Sequence, residues 1–305
     1  MAQAKATSAP QSRLQDIFAS RYAVFYVLVL PAFLLRMIYT VIPIIQTVLI
    51  SFTNRTIMGG KYIGLRNYES LTRDATLIGS LGWTLLYTGA SAVAETVIGL
   101  GIAVLLMQNL RLRWLSNFIM LLPWVVAPML AAVAFRILYF EDGGILNAIL
   151  QELGFGNAAV RWLSDAETAR FSVIAMTVWK NVSWVALIFM AAIGSLSKEV
   201  LEAAAVDGAN TLQRFWYVTL PLLKPAIYLV LLLRAMAEVQ TFEQIYGLTR
   251  GGPGSATKTL ALYTFERFFQ QLRYGYGSAV NIVLLLLTIV IGAIFAWLLY
   301  RSREI

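Results

Sequence analysis

Arg234 and Glu238 stand four residues apart in a long apolar run, so on a helix they share one face and can neutralise each other. Glu95, Lys180 and Glu243 are further ionisable side chains set within such runs. A charge at the centre of a bilayer costs about 2.5–3.5 kcal/mol on the insertion scale. Such groups therefore face a protein interior or a wet cavity, where they pair with one another or line a pathway. Uncharged polar and aromatic groups recur at similar depths: Trp179, Asn181 and Trp184, then Gln240 and Tyr246, then Asn281. Solutes rich in hydroxyls are held by hydrogen bonds and by C–H faces stacked on rings, which this inventory suits. Two readings stand for the set. Either it holds a bundle together, with tryptophans anchoring helices at interfaces, or it forms the wall of a solute path.

Other chemistry is excluded or weak. The chain has no cysteine and no histidine, which removes disulfides, zinc sites built on those residues, iron–sulfur clusters and thiol or histidine catalysis. Gly252 to Thr259 (GPGSATKT) is one residue from a phosphate-binding loop, but Thr257 occupies the place of the second glycine. A β-branched residue resists the backbone geometry that glycine permits there, and an apolar span precedes the segment instead of a strand. The chain is not expected to hydrolyse ATP. Its net charge of +8 and pI of about 9.7 come from basic residues scattered between apolar segments. That pattern flanks membrane spans and does not suggest a nucleic-acid partner.

These residues need elements to position them. Of 305 residues 59% are hydrophobic and 13% charged, with a mean hydropathy of +0.71. A soluble domain carries about 25% charged residues, and a membrane helix needs about 20 predominantly apolar ones. Six runs meet that length, near 23–52, 81–107, 115–139, 171–194, 225–247 and 278–300. The first continues too far to be a cleaved signal peptide, so it reads as a retained span. The expectation is an all-α integral membrane protein: one bundle of six helices with lipid as its solvent. Residues 1–22 form a polar tail, 23–75 the first helix and an outer loop, and 301–305 a short basic end. A glycine-rich loop is expected over 248–277. Six crossings put both termini on one side of the membrane, and Lys and Arg counts do not choose which.

Residues 195–224 are the one substantial stretch that reads as water-facing helix. Glu202, Ala203, Ala204 and Ala205 are strong helix formers. Asp207 and Gly208 favour a turn, Gln213 to Val218 can form a second short helix, and Leu220-Pro221 leads into the next span. Two short helices at a bend with a small-residue face suit insertion into a groove on another protein, or merely connect two spans.

This segment resembles the EAA motif of binding-protein-dependent ABC importer permeases. Glu202-Ala203-Ala204 precedes Gly208 at the family's gap, and Val218-Thr219-Leu220-Pro221 follows, with Val218 for isoleucine the one departure. Gly64-Leu65-Arg66-Asn67-Tyr68 is similar to the G-L-x-N-Y of the maltose-type and glycerol-phosphate-type group. Thr249-Arg250-Gly251-Gly252-Pro253 resembles that group's T-x-G-G-P loop. The resemblance implies the type I ABC importer permease fold, with a five-helix transmembrane domain over 76–300 and a coupling segment over 198–221. It further implies a second homologous permease, two ATPase subunits that bind ATP and magnesium, and an extracytoplasmic solute-binding protein. This chain itself would need no cofactor. The chain would lie in the cell's inner membrane with both termini cytoplasmic, and the solute would be a sugar or sugar derivative. An importer of a polyamine or amino acid, or an ion-coupled secondary transporter acting alone, are the rivals.

Overall fold

The computed structural model describes residues 21–108, 111–155 and 159–302. The expected tail therefore lies outside the described residues for all but its last two positions, as do the last three residues of the chain. Among the described residues the chain is helical with no extended strand pairing beyond two isolated bridges, Thr53 with Tyr62 and Thr56 with Gly59.

The first span joins α1 (Arg21–Arg36), a widened turn at Met37–Val41 and α2 (Ile42–Ser51). Pro43 has no N–H to give to the preceding turn, and the helix widens just ahead of it. A short helix α3 (Arg66–Thr72) follows, and its G-L-x-N-Y residues fasten it to the first span. Asn67 Nδ2 donates to the Ser51 and Thr53 carbonyls at 2.7 and 2.8 Å, and the Tyr68 hydroxyl lies 2.7 Å from Ser51 Oγ. The second span is α4 (Ala75–Leu106), capped by Asp74, and the fourth is α8 (Ala166–Gly194), capped by Asp165.

The third span is not one rod. α5 (Arg113–Val125) and α6 (Pro128–Leu138) meet at 97°, because Val126 and Ala127 are extended ahead of Pro128. A short α7 (Ile145–Glu152) lies in the loop that follows. The break would strand carbonyls in an apolar setting, and Lys180 Nζ donates to those of Trp124 and Val126 at 3.3 and 2.8 Å. Its charge thus serves the bend.

After α8 come α9 (Lys198–Val206), α10 (Thr211–Arg214), a wide turn at Phe215–Thr219 and α11 (Leu220–Leu222). The fifth span, α12 (Lys224–Glu238), ends nine residues before the expected 247. Gln240 Nε2 bonds back to the Met236 carbonyl at 3.2 Å, offering the chain a way out of the helix. A separate α13 (Glu243–Leu248) then packs on α6. A β-carbon on Gly247 would sit 2.7 Å from both Ala132 Cβ and Met129 Sδ, so that contact requires glycine. The expected loop 248–277 also holds a helix, α14 (Leu260–Phe265), started by Thr259. The sixth span is α15 (Tyr274–Arg301).

Among the described residues four helices are long and apolar enough to cross a membrane, and up to six spans result when each of two bent pairs counts as one: α5 with α6, and the helical stretch from Thr211 to Leu222 with α12, which meet at 63°. Among the described residues three buried clusters hold them together, at the end away from the elbow (Leu77, Tyr263, Val280), in the middle (Tyr87, Met176, Ile245) and at the elbow end (Ala103, Phe189, Val230). Large apolar side chains cover much of the outside. Such a surface suits lipid or partner chains as its solvent.

Candidate functional site

Two regions have chemistry that packing alone does not require. The first is a buried polar cluster where α4, α8 and α12 meet. Polar residues on α4 recur at helical spacing (Ser80, Thr84, Tyr87, Ser91, Glu95), and all are buried. Arg234 Nε donates to Glu95 Oε2 at 2.6 Å, and Arg234 also pairs with Glu238 one turn on. Asn181 Nδ2 reaches both carboxylates, Glu95 at 3.3 Å and Glu238 at 3.1 Å. The Tyr87 and Thr241 hydroxyls donate to Glu238 Oε2 at 2.7 and 3.0 Å, and Thr177 Oγ1 donates to Gln244 Oε1 at 2.8 Å. The Trp184 ring covers the guanidinium at 5.8 Å. Counted from the elbow-side ends of their helices, Glu95, Asn181 and Arg234 lie roughly 15–20 Å in at 1.5 Å per residue. That is near the middle of a core about 30 Å thick.

The structure thus joins Glu95, Asn181, Trp184, Arg234 and Glu238. It keeps the other sequence-derived residues apart. Gln240 and Asn281 line a separate cavity of about 370 Å³ between the first and sixth spans. Trp179 packs on Phe135, with centroids 4.9 Å apart. Tyr246 stacks on Phe242 at 5.2 Å, and Glu243 is exposed at the start of α13. Tyr87 and Thr177 were not singled out by sequence. Tyr87 sits in the polar stripe on α4 that runs from Ser80 to Glu95, and Thr177 lies one turn before Asn181 on α8.

The second region is the elbow between the fourth and fifth spans. α9 carries Glu202 and Ala203 exposed and Ala204 half-buried, and it buries no residue. It stops at Asp207 and Gly208, where Gly208 takes φ +83° and its N–H bonds to the Ala205 carbonyl at 3.1 Å. Asn210 and Gln213 then form a reciprocal cap, each side chain accepting from the other's N–H at 2.9 Å. Leu220 is half-buried and Pro221 exposed, above the buried Leu223. Val206, Leu212, Trp216 and Tyr217 are all more than half exposed. Among the described residues nothing of this chain covers these apolar side chains.

The near phosphate-binding loop has its groups committed elsewhere. Thr257 Oγ1 donates to the Gly252 carbonyl at 2.8 Å, and Lys258 pairs with Glu266 at 2.8 Å.

The chain matches the model of the binding-protein-dependent transport system inner membrane component family over residues 95–304. It is 31% identical to the sulfoquinovosyl glycerol transport system permease protein of Agrobacterium fabrum, over 88% of this chain and 87% of that protein. It is 32% identical to the trehalose/maltose transport system permease protein MalF of Thermococcus litoralis, over 87% of this chain and 89% of that one. Among solved structures, a chain of a bacterial ABC transporter involved in import of the acidic polysaccharide alginate superposes with a TM-score of 0.80. It is 23% identical and covers 96% of this chain and 99% of that chain.

This protein belongs to the binding-protein-dependent transport system inner membrane component family. It is a multi-pass membrane permease with the ABC importer permease fold, a translocation component and not an enzyme.

Proposed function

We propose that this permease carries a sugar or sugar derivative, driven by ATPase subunits that engage the elbow at Glu202–Gly208 and Leu220–Pro221. The solute class rests on the relatives, two of which are named for glycosides or disaccharides. The coupling role rests on one observation above the rest: the elbow is built of short capped helices yet leaves Val206, Leu212, Trp216 and Tyr217 uncovered. An apolar surface held in place by its own caps suits a partner's cleft. The partners in this reading are a second homologous permease, two ATPase subunits binding ATP and magnesium, and an extracytoplasmic solute-binding protein. The elbow and both termini face the cytosol.

In the mechanism, ATP binding draws the ATPase subunits together and pushes the elbow. α9 and α11 lie at the ends of α8 and α12, so the push reaches the two spans that carry Asn181, Trp184, Arg234 and Glu238. The permease pair then rocks between outward and inward openings around that depth. Asn181, Trp184 and the Arg234–Glu238 pair border the path, and Trp179, Gln240, Glu243, Tyr246 and Asn281 contribute further along it.

Gly208→Val tests the coupling. Nothing lies within 4 Å of a β-carbon built at Gly208, so no clash inside this chain obscures the result. The cost arises from φ +83°, which a β-branched residue resists. Solute uptake by the assembled complex is expected to fall more than tenfold with normal membrane insertion. Uptake at the wild-type rate would sink the coupling role.

A further inference from the structure

The sixth span ends in Trp297, Tyr300 and Arg301, and its two rings are 57% and 67% exposed. Exposed Trp and Tyr concentrate where membrane meets water, which sets this end of α15 at headgroup depth. Lys224 opens α12 at the same end. Between the two helices lies a groove of about 560 Å³, lined by Leu222, Lys224, Tyr228, Leu298, Arg301 and Ser302 among others. Among the described residues no acidic side chain lines it. Among the described residues neither Lys224 nor Arg301 has a carboxylate within ion-pair distance, and the Arg301 guanidinium lies 5.6 Å from the Trp297 ring centroid.

We infer that this groove binds one anionic phospholipid, its headgroup between Lys224 and Arg301 and an acyl chain along Tyr228 and Leu298. Both halves of the groove argue for that ligand. Tyr228 and Leu298 lie about one helical turn deeper than the cations, so the apolar trough leads from the charged rim toward the hydrocarbon. A free phosphate would use the cations and leave the trough empty. A neutral lipid would fill the trough and leave two charges unpaired. A lipid with net negative charge satisfies both, and basic pockets between membrane helices bind such headgroups. Pro221 and Leu222 form part of the wall, so the bound lipid ties the last turn of the elbow to the sixth span. The inference rests on the proposed cytosolic orientation only in naming the leaflet that supplies the lipid.

The test is native mass spectrometry of the full chain, purified with its native partners in mild detergent and exchanged into equal phosphatidylglycerol and phosphatidylcholine. Wild type is expected to retain one more phosphatidylglycerol than Lys224→Gln/Arg301→Gln, with occupancy down at least tenfold in that variant. Lys224→Arg should keep the lipid. Should the double variant not assemble, Arg301→Gln alone, at the exposed end of α15, gives the same readout. Equal phosphatidylglycerol retention by wild type and variant overturns the site. So does equal retention of phosphatidylcholine. Displacement of the lipid by millimolar glycerol phosphate also overturns it, since the groove would then recognise a free phosphate. Transport plays no part in the readout, so failure here leaves the importer reading intact.

Discussion

The buried cluster and the elbow handle unfavourable groups in opposite ways. In the cluster, two carboxylates and a guanidinium are removed from water and compensated inside the chain by Asn181, Tyr87 and Thr241. At the elbow, apolar side chains are left uncovered, and nothing among the described residues compensates them. The first arrangement is closed and stabilising only as a whole, because a partly satisfied polar network is worse than none. The second is open, and the Asn210–Gln213 cap and the Gly208 turn shape it without using its apolar side chains. A membrane helix bundle that must move needs both. One region fixes how the helices meet at mid-depth, and the other offers a surface for force from outside.

The largest expected effect comes from opening the closed region. Arg234→Met leaves Glu95 and Glu238 facing each other without their shared cation. Removing one member of a buried ion pair costs about 3–5 kcal/mol. The purified protein should lose most of its heat resistance in detergent. A triple change, Glu95→Gln, Arg234→Met and Glu238→Gln, should regain part of the loss, because coupled sites are non-additive. Unchanged melting of Arg234→Met would show that the cluster is not what joins α4 to α12.

The elbow should respond in the opposite sense. Trp216 is 55% exposed, and its ring meets Phe215 edge-on at 5.6 Å. Trp216→Ala should leave the melting of the isolated chain within about 0.5 kcal/mol of wild type, as surface changes do. Association with the ATPase subunits should weaken by about 2 kcal/mol or more, roughly thirtyfold, if the ring fills a pocket on the partner. Co-purification measured against salt-washed membranes checks this. Full association with reduced heat stability would reverse the comparison.

The two regions were not equally legible in the sequence. The elbow announces itself, since its helix formers, Asp207-Gly208 turn and Leu-Pro ending lie within twenty residues and obey local rules. The cluster could be read only in part. Arg234 and Glu238 share a helix, so their spacing shows the pair, but Glu95 is 139 residues from Arg234 and no local pattern links them. The broken spans were hidden for another reason. Residues 115–139 stay apolar across their break, so hydropathy cannot see a bend made by Pro128, and the second bend, between Leu222 and Lys224, falls in the equally apolar stretch Leu220–Leu223. Pro128 was visible, but a proline inside a span can be tolerated or can break it. The helix inside 248–277 was masked by the glycines that precede it.

Asp74, at the rim away from the elbow, gives the smallest effect and the finest test, because it joins the two strategies. Its Oδ1 caps α4 by accepting from the Thr76 and Leu77 N–H groups at 3.0 and 3.2 Å. Its Oδ2 accepts from the hydroxyls of Tyr263 and Tyr276 and lies 3.6 Å from Arg267. Burial pushes the carboxyl up, but the two tyrosines, the Leu77 N–H and the Arg267 charge outweigh it and hold it below its ordinary 3.8. A carboxyl lowered by folding stabilises the protein above its unfolded value, and that contribution is lost as pH falls through the folded one. The heat stability of wild type should therefore approach that of Asp74→Asn as the solution is taken from about pH 7 to about pH 3. The amide can still cap the helix, so the gap at neutral pH reports the charge more than the cap. A gap that stays constant down to the acid end would mean that the carboxylate's charge does not hold α4 to α14 and α15.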